Sequence, residues 1–127
     1  MARRVQIEIE FLFKASPTIL YRFITSPNCL IRWFCDEVDI DDDEYHYVWD
    51  GQEEVAVLVD DIEDERLRFK WKDAENKNEY IEYRFKVSPI TGETILEIVD
   101  WCDSDEVAQQ KQLWATQIDQ LRRETGG

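Results

Sequence analysis

The sequence predicts an α+β domain: an antiparallel sheet of about seven strands, curved round one long C-terminal helix, with two short helices between strands 1 and 2. Three observations predict it. Residues 3–13 place Val5, Ile7, Ile9, Phe11 and Phe13 at strict period two. The segment ASPTILYRFITSPNCLIRWF, residues 15–34, carries Ser-Pro twice, each time at the mouth of a run with helical spacing. Residues 36–102 then divide into six extended runs, and helical spacing returns only after Ser104.

The first run is a half-buried strand, because Arg4, Gln6, Glu8 and Glu10 occupy the face opposite its apolar residues. Pro17 and Pro27 suit the first position of a helix, where the missing N–H has no partner in any case. Ser16 and Ser26 are the expected N-caps. Ile19, Leu20, Phe23 and Ile24 form the apolar face of the first helix, and Leu30, Ile31, Trp33 and Phe34 that of the second. Pro27 also ends the first helix, since a residue before proline is pushed out of the helical region.

The six later strands are expected over 36–40, 44–50, 53–62, 66–72, 79–88 and 94–102. Turn signals separate them: three aspartates at 41–43, Asp50-Gly51, Asp64-Glu65, a polar loop at 73–78, and Pro89 to Gly92. Connections this short favour antiparallel pairing, because a parallel return needs a crossover. Leu67, Phe69 and Trp71 share one face against Arg66, Arg68, Lys70 and Lys72. Ile81, Tyr83, Phe85 and Val87 oppose Tyr80, Glu82, Arg84 and Lys86. The last run has two readings, since Ile95, Val99 and Trp101 share a parity that Leu96 and Ile98 oppose.

From Ser104 to about Glu124 the chain reads as a helix of about 30 Å, long enough to cross a sheet. Ser104 or Asp103 is its expected cap. Val107, Trp114, Ile118 and Leu121 make its apolar stripe, Arg122 and Arg123 suit its C-terminal end, and Gly126-Gly127 stops it. With 127 residues and no low-complexity linker, one domain over 1–127 is expected.

Charge narrows the partners. Fifteen Lys and Arg stand against 29 Asp and Glu, a formal −14, which repels phosphate backbones and anionic membrane surfaces. Neither nucleic acid nor membrane is expected as a partner. Three cysteines without a CxxC motif fit reduced thiols and a cytoplasmic setting. The alternating start does not read as a signal peptide.

The polar residues offer little chemistry, and no catalytic residue, metal or cofactor is assigned. Asp39, Asp41 and Asp43 match the first three ligand positions of a calcium loop, but Glu44 stands where glycine is needed and Asp50 where glutamate is needed. Val38 and Ile40 alternate there as a strand would. His46, the one histidine, lies between Tyr45 and Tyr47 and faces water if those tyrosines face the core. Ser16, Ser26 and Ser104 are read as caps, and Ser88 precedes Pro89, so no serine is left for a catalytic triad. For an inward polar group the sequence offers His46, Asp100 or Glu97.

The order of elements resembles the START-like, helix-grip superfamily, which includes the birch pollen allergen type and the polyketide cyclase and lipid-transport proteins. Within it the chain looks most like the activator-of-heat-shock-ATPase branch. The resemblance rests on residues 15–34, on GQEEVAVLVDDIEDERLRFKW and on the closing LWATQIDQL, and spans almost the whole chain. It implies a cavity between long helix and sheet. The aromatic set expected to line it is Phe34, Tyr47, Trp49, Phe69, Trp71, Tyr83, Phe85 and Trp114, with Ile118 from the helix. The same rings could simply fill a core, which is the default reading for large aromatics. The function expected from the resemblance is non-catalytic binding of a small hydrophobic ligand. A protein-interaction or chaperone-regulator module is the alternative, and a cyclase or hydrolase the second alternative.

Overall fold

The computed structural model describes residues 2–127. Strand β1 (Arg4–Phe13) leads into helices α1 (Pro17–Thr25) and α2 (Pro27–Leu30). Six strands follow: β2 (Glu37–Asp41), β3 (Glu44–Trp49), β4 (Gln52–Ile62), β5 (Arg66–Trp71), β6 (Ile81–Val87) and β7 (Thr94–Asp103). Helix α3 (Val107–Glu124) closes the chain. The strands form one antiparallel sheet in the order β1-β7-β6-β5-β4-β3-β2. The chain thus winds back from β2 to β7 by successive hairpins, and β1 pairs last-to-first with β7.

The turns follow from their residues. Asp50 and Gly51 have φ of 50° and 77°, the paired positive values of a tight two-residue hairpin whose twist suits the strands it joins. Asp42 and Asp64 adopt positive φ at the neighbouring turns, where their short side chains tolerate it. In β4 the register shifts between Leu58 and Asp60, leaving Val59 as an extra residue. Such a bulge bends its strand and helps the sheet curl.

The concave face is the core. Tyr45, Tyr47, Leu67, Phe69, Ile81, Tyr83, Phe85, Leu96 and Ile98 are buried there, and α3 sets Trp114, Ile118 and Leu121 against them. The two readings of the last strand resolve by pairing: Leu96 opposes Phe85 and Ile98 opposes Tyr83, so this parity faces inward and carries Asp100 with it. His46 lies on the other parity, bridging Glu44 and Glu53 at 3.2 and 3.4 Å.

Four local expectations are corrected. Helix α3 begins at Val107, and neither Asp103 nor Ser104 caps it; the Ser104 N–H instead donates to the Arg3 carbonyl. Ser16 accepts from the Ile19 N–H at 3.3 Å as a cap should, but the Ser26 hydroxyl makes no cap bond. Helix α2 is a single turn that continues as turns to Phe34, and this swings Ile31 out to solvent while Leu30, Trp33 and Phe34 stay buried. Ile19 and Val87 are likewise exposed: Ile19 lies at the edge of the helix face that buries Leu20, Phe23 and Ile24, and Val87 ends its strand.

The opening pair of Ser-Pro signals now has a structural role. Trp33 donates its indole N–H to the Phe23 carbonyl at 2.9 Å, and Trp49 donates to the Phe34 carbonyl at 2.6 Å. These bonds tie α1, the segment after α2, and β3 into one cap over the concave face. The other end of α3 is fixed to β1, where Arg122 donates to the Leu12 carbonyl at 3.3 Å. Gly126, at φ 97°, lets the Gly127 N–H turn back to the Arg122 carbonyl at 2.7 Å and end the helix.

Candidate ligand-binding site

The first half of α3 does not rest flush on the sheet. Gln110, Leu113, Trp114 and Gln117 recur at helical spacing and face a cavity of about 460 Å³. Phe34, Trp49 and Trp71 line its aromatic side. Trp49 and Trp71 are half-buried, with ring centroids 6.3 Å apart, and Phe34 stacks against Trp114 at 6.3 Å. The inward-parity residue of β4 at this level is Glu54, which pairs with Tyr47 and lines the cavity. Glu54 is exposed and forms no ion pair among the described residues.

Asp100 supplies the buried polar group. It is 6% exposed and accepts from the Trp114 indole N–H at 2.8 Å, the Gln110 amide at 2.8 Å and the Trp101 backbone N–H at 2.7 Å. Burial raises its pKa above the ordinary 3.8, while those three bonds pull it back in part. With its oxygens committed to fixed donors, it positions Trp114 rather than offering a free base. Burial also pushes the Tyr83 hydroxyl, beside it on β6, well above its usual range.

Arg4 and Glu79 close the rim. Arg4 donates to both Glu79 oxygens at 2.7 and 3.0 Å and to Asp103 at 3.1 Å. A second depression of about 490 Å³ adjoins the cavity and shares Arg4, Glu54, Trp71 and Glu79 with it. Asp103, Asp105 and Glu106 also bring oxygens within 4.8 Å of one another, but Asp103 is already engaged by Arg4.

Of the aromatic set read from the sequence, Phe34, Trp49, Trp71 and Trp114 line the cavity. Tyr47, Phe69, Tyr83, Phe85 and Ile118 lie in the packed core beside it. Tyr47 bridges the two groups, with its ring 4.9 Å from Phe34 and 6.1 Å from Trp71. Sequence reading did not single out Arg4, Glu54, Glu79, Gln110 or Gln117. The signal that marks Glu54 is its parity: Glu54, Ala56 and Leu58 fall on the inward side of β4, opposite Tyr47, Tyr45 and Phe69.

The likeness to known proteins follows the same architecture. A Bacteroides fragilis protein solved in solution is 34% identical, with 100% of this chain and 94% of that one covered and a TM-score of 0.70. The Aha1 dimer from Colwellia psychrerythraea is 15% identical, with 95% and 96% covered and a TM-score of 0.81. An AHSA1-like protein from Aeromonas hydrophila is 18% identical, with 94% and 90% covered and a TM-score of 0.75. The last two likenesses concern the fold alone. Among proteins of curated function, none matches the chain significantly. The model of the START-like superfamily domain matches residues 1–127 in full, and the chain belongs to that superfamily.

Proposed function

We propose that this protein binds a small hydrophobic ligand in the cavity between α3 and the sheet, and that it performs no chemistry on it. The observation that carries the reading is the open space itself. Four tryptophans and Phe34 line about 460 Å³ that the core leaves unfilled, within the usual 300–1,000 Å³ range of small-molecule sites. A non-catalytic role is supported by the state of its polar groups. Asp100 has its oxygens occupied, and His46 sits on the convex face between two glutamates. The cytoplasm is the proposed compartment, supported by three free cysteines, two of them buried. No helix among the described residues is long and apolar enough to cross a membrane.

The test is extraction of the protein purified from its native cells, with mass spectrometry of the small molecules released. A stoichiometric apolar compound is expected. In parallel, fatty alcohols, sterols and aromatic polyketides should shift tryptophan emission, and a ligand at 100 times its Kd should stabilise the fold by about 2.7 kcal/mol. An empty extract, with no thermal shift from any of these classes, refutes the reading. A protein-interaction or chaperone-regulator module would then stand ahead, favoured by the fold shared with Aha1 and by the −14 charge.

A further inference from the structure

We propose that the cavity selects a ligand whose apolar body ends in a positively charged amine. The inference rests on the reading of the cavity as a ligand site and specifies what that site recognises. The faces of Trp49 and Trp71 meet at 60° where the cavity opens, and Glu54 points to the same level from the adjoining strand. Ring faces beside a carboxylate without a counter-ion attract an ammonium group through the ring quadrupole and through charge.

Most of the groups that would hold an anion are already spent. Arg4, the one cation lining the cavity, lies between Glu79 and Asp103 and bonds to both. The Gln110 amide and the Trp114 indole donate to Asp100, and the Trp49 indole and the Gln117 amide to the Phe34 carbonyl. The indole N–H of Trp101 is buried without an acceptor, but it is a neutral donor and does not offset the carboxylates around it.

The approach carries the same sign. The adjoining depression is lined by Glu53, Glu54, Asp73, Glu75, Glu79 and Asp103 against Arg4 alone. This is a local arrangement and not merely the charge of the whole chain. On the convex face, by contrast, the arginines of β5 are paired with carboxylates, Arg66 with Asp60 and Arg68 with Glu82. A cleft of one sign with apolar walls concentrates ligands of the opposite sign.

The experiment compares three probes with one ten-carbon chain: decylammonium, decanol and decanoate. Each is titrated below its micelle concentration at neutral pH and 150 mM salt, where the Debye length is about 8 Å and remote charges are screened. Tryptophan emission and the NMR shifts of the indole N–H groups report binding in the cavity. Decylammonium is expected to bind roughly tenfold tighter than decanol, and decanoate weakest. Glu54→Gln should remove most of that preference and leave decanol unchanged. Asp41→Asn, a charge change in the distant β2–β3 hairpin, should leave all three affinities as they were. Decanol binding as tightly as decylammonium, or decanoate binding tightest, overturns the amine proposal and leaves the hydrophobic-ligand reading intact. Equal losses in the Glu54 and Asp41 variants overturn it too, since net charge would then be the cause. Failure of all three probes to move the indole signals overturns both readings.

Discussion

Replacing Asp100 tests whether the cavity's polar floor holds Trp114 in place. The carboxylate accepts three hydrogen bonds of 2.7–2.8 Å while only 6% exposed. Asp100→Ala strands the Trp114 indole N–H, on a residue 3% exposed, and the Trp101 backbone N–H; Gln110 is half-buried and can turn to water. A buried donor left without a partner costs about 1–3 kcal/mol, so two give about 2–6. The substitution also relieves the cost of burying a charge, which brings the expectation to about 2–4 kcal/mol. Asp100→Asn keeps the shape but sets an amide donor against a donor, for about 1–2 kcal/mol. Urea unfolding followed by far-UV circular dichroism measures both, and a slope of about 1–3 kcal/mol/M makes the alanine shift easily visible. The pH dependence gives a second readout. Because burial raises the Asp100 pKa, the folded chain keeps a proton that the unfolded chain has released. Stability from this group is therefore full below the ordinary value of 3.8 and is lost as pH rises through the raised folded value. The wild-type stability minus that of Asp100→Asn should fall across this window and be flat above it. A loss under 1 kcal/mol in Asp100→Ala, with a flat difference throughout, would refute the reasoning.

Three other outcomes are expected. Ser16→Ala should cost about 1 kcal/mol while Ser26→Ala is close to neutral, because only Ser16 makes a cap bond; thermal melts of the two variants check this. Trp71→Ala should destabilise by clearly less than the 3–5 kcal/mol of a buried tryptophan, since Trp71 is half-buried on the cavity wall, and should weaken any cavity ligand more than it weakens the fold. Burial pushes the Cys35 thiol up to about 11, so a thiol reagent at pH 8 should label the half-buried Cys29 well before Cys35, as peptide mass mapping would show.

The fold was legible because its signals are local. Period two in β1, β5 and β6, proline at two helix starts and Asp50-Gly51 at a hairpin each act within a few residues. Ser26 and Ser104 misled because a residue type suited to capping does not fix whether its hydroxyl reaches the N–H. The site was legible only by face. Parity places Phe69, Tyr83 and Trp71 on the concave side alike, but not along it. Phe69 and Tyr83 lie mid-sheet and are buried, with Tyr83 packed 6.0 Å from Trp114, whereas Trp71 ends its strand beside the first half of the helix. The rim escaped notice for another reason: Arg4 meets Glu79 across 75 residues of sequence, and no local pattern anticipates that pairing.

The convex face bears on the same question of placement. Glu82 is fully buried on the side expected to be solvated, because Arg68 donates to one of its oxygens at 2.7 Å and Arg84 to the other. Arg68 also covers the Tyr80 ring at 4.1 Å from its centroid. Charge on this face is thus paired locally, across strands where Arg68 opposes Glu82 in register and along β6 between Glu82 and Arg84. Glu54 departs from that scheme. It lies on the inward parity, opposite an aromatic tyrosine and away from the basic strand face that could neutralise it. Its exposed carboxylate lines the cavity beside Trp49 and Trp71 and has no ion-pair partner among the described residues. A ligand with a cationic end, as proposed above, would supply that partner.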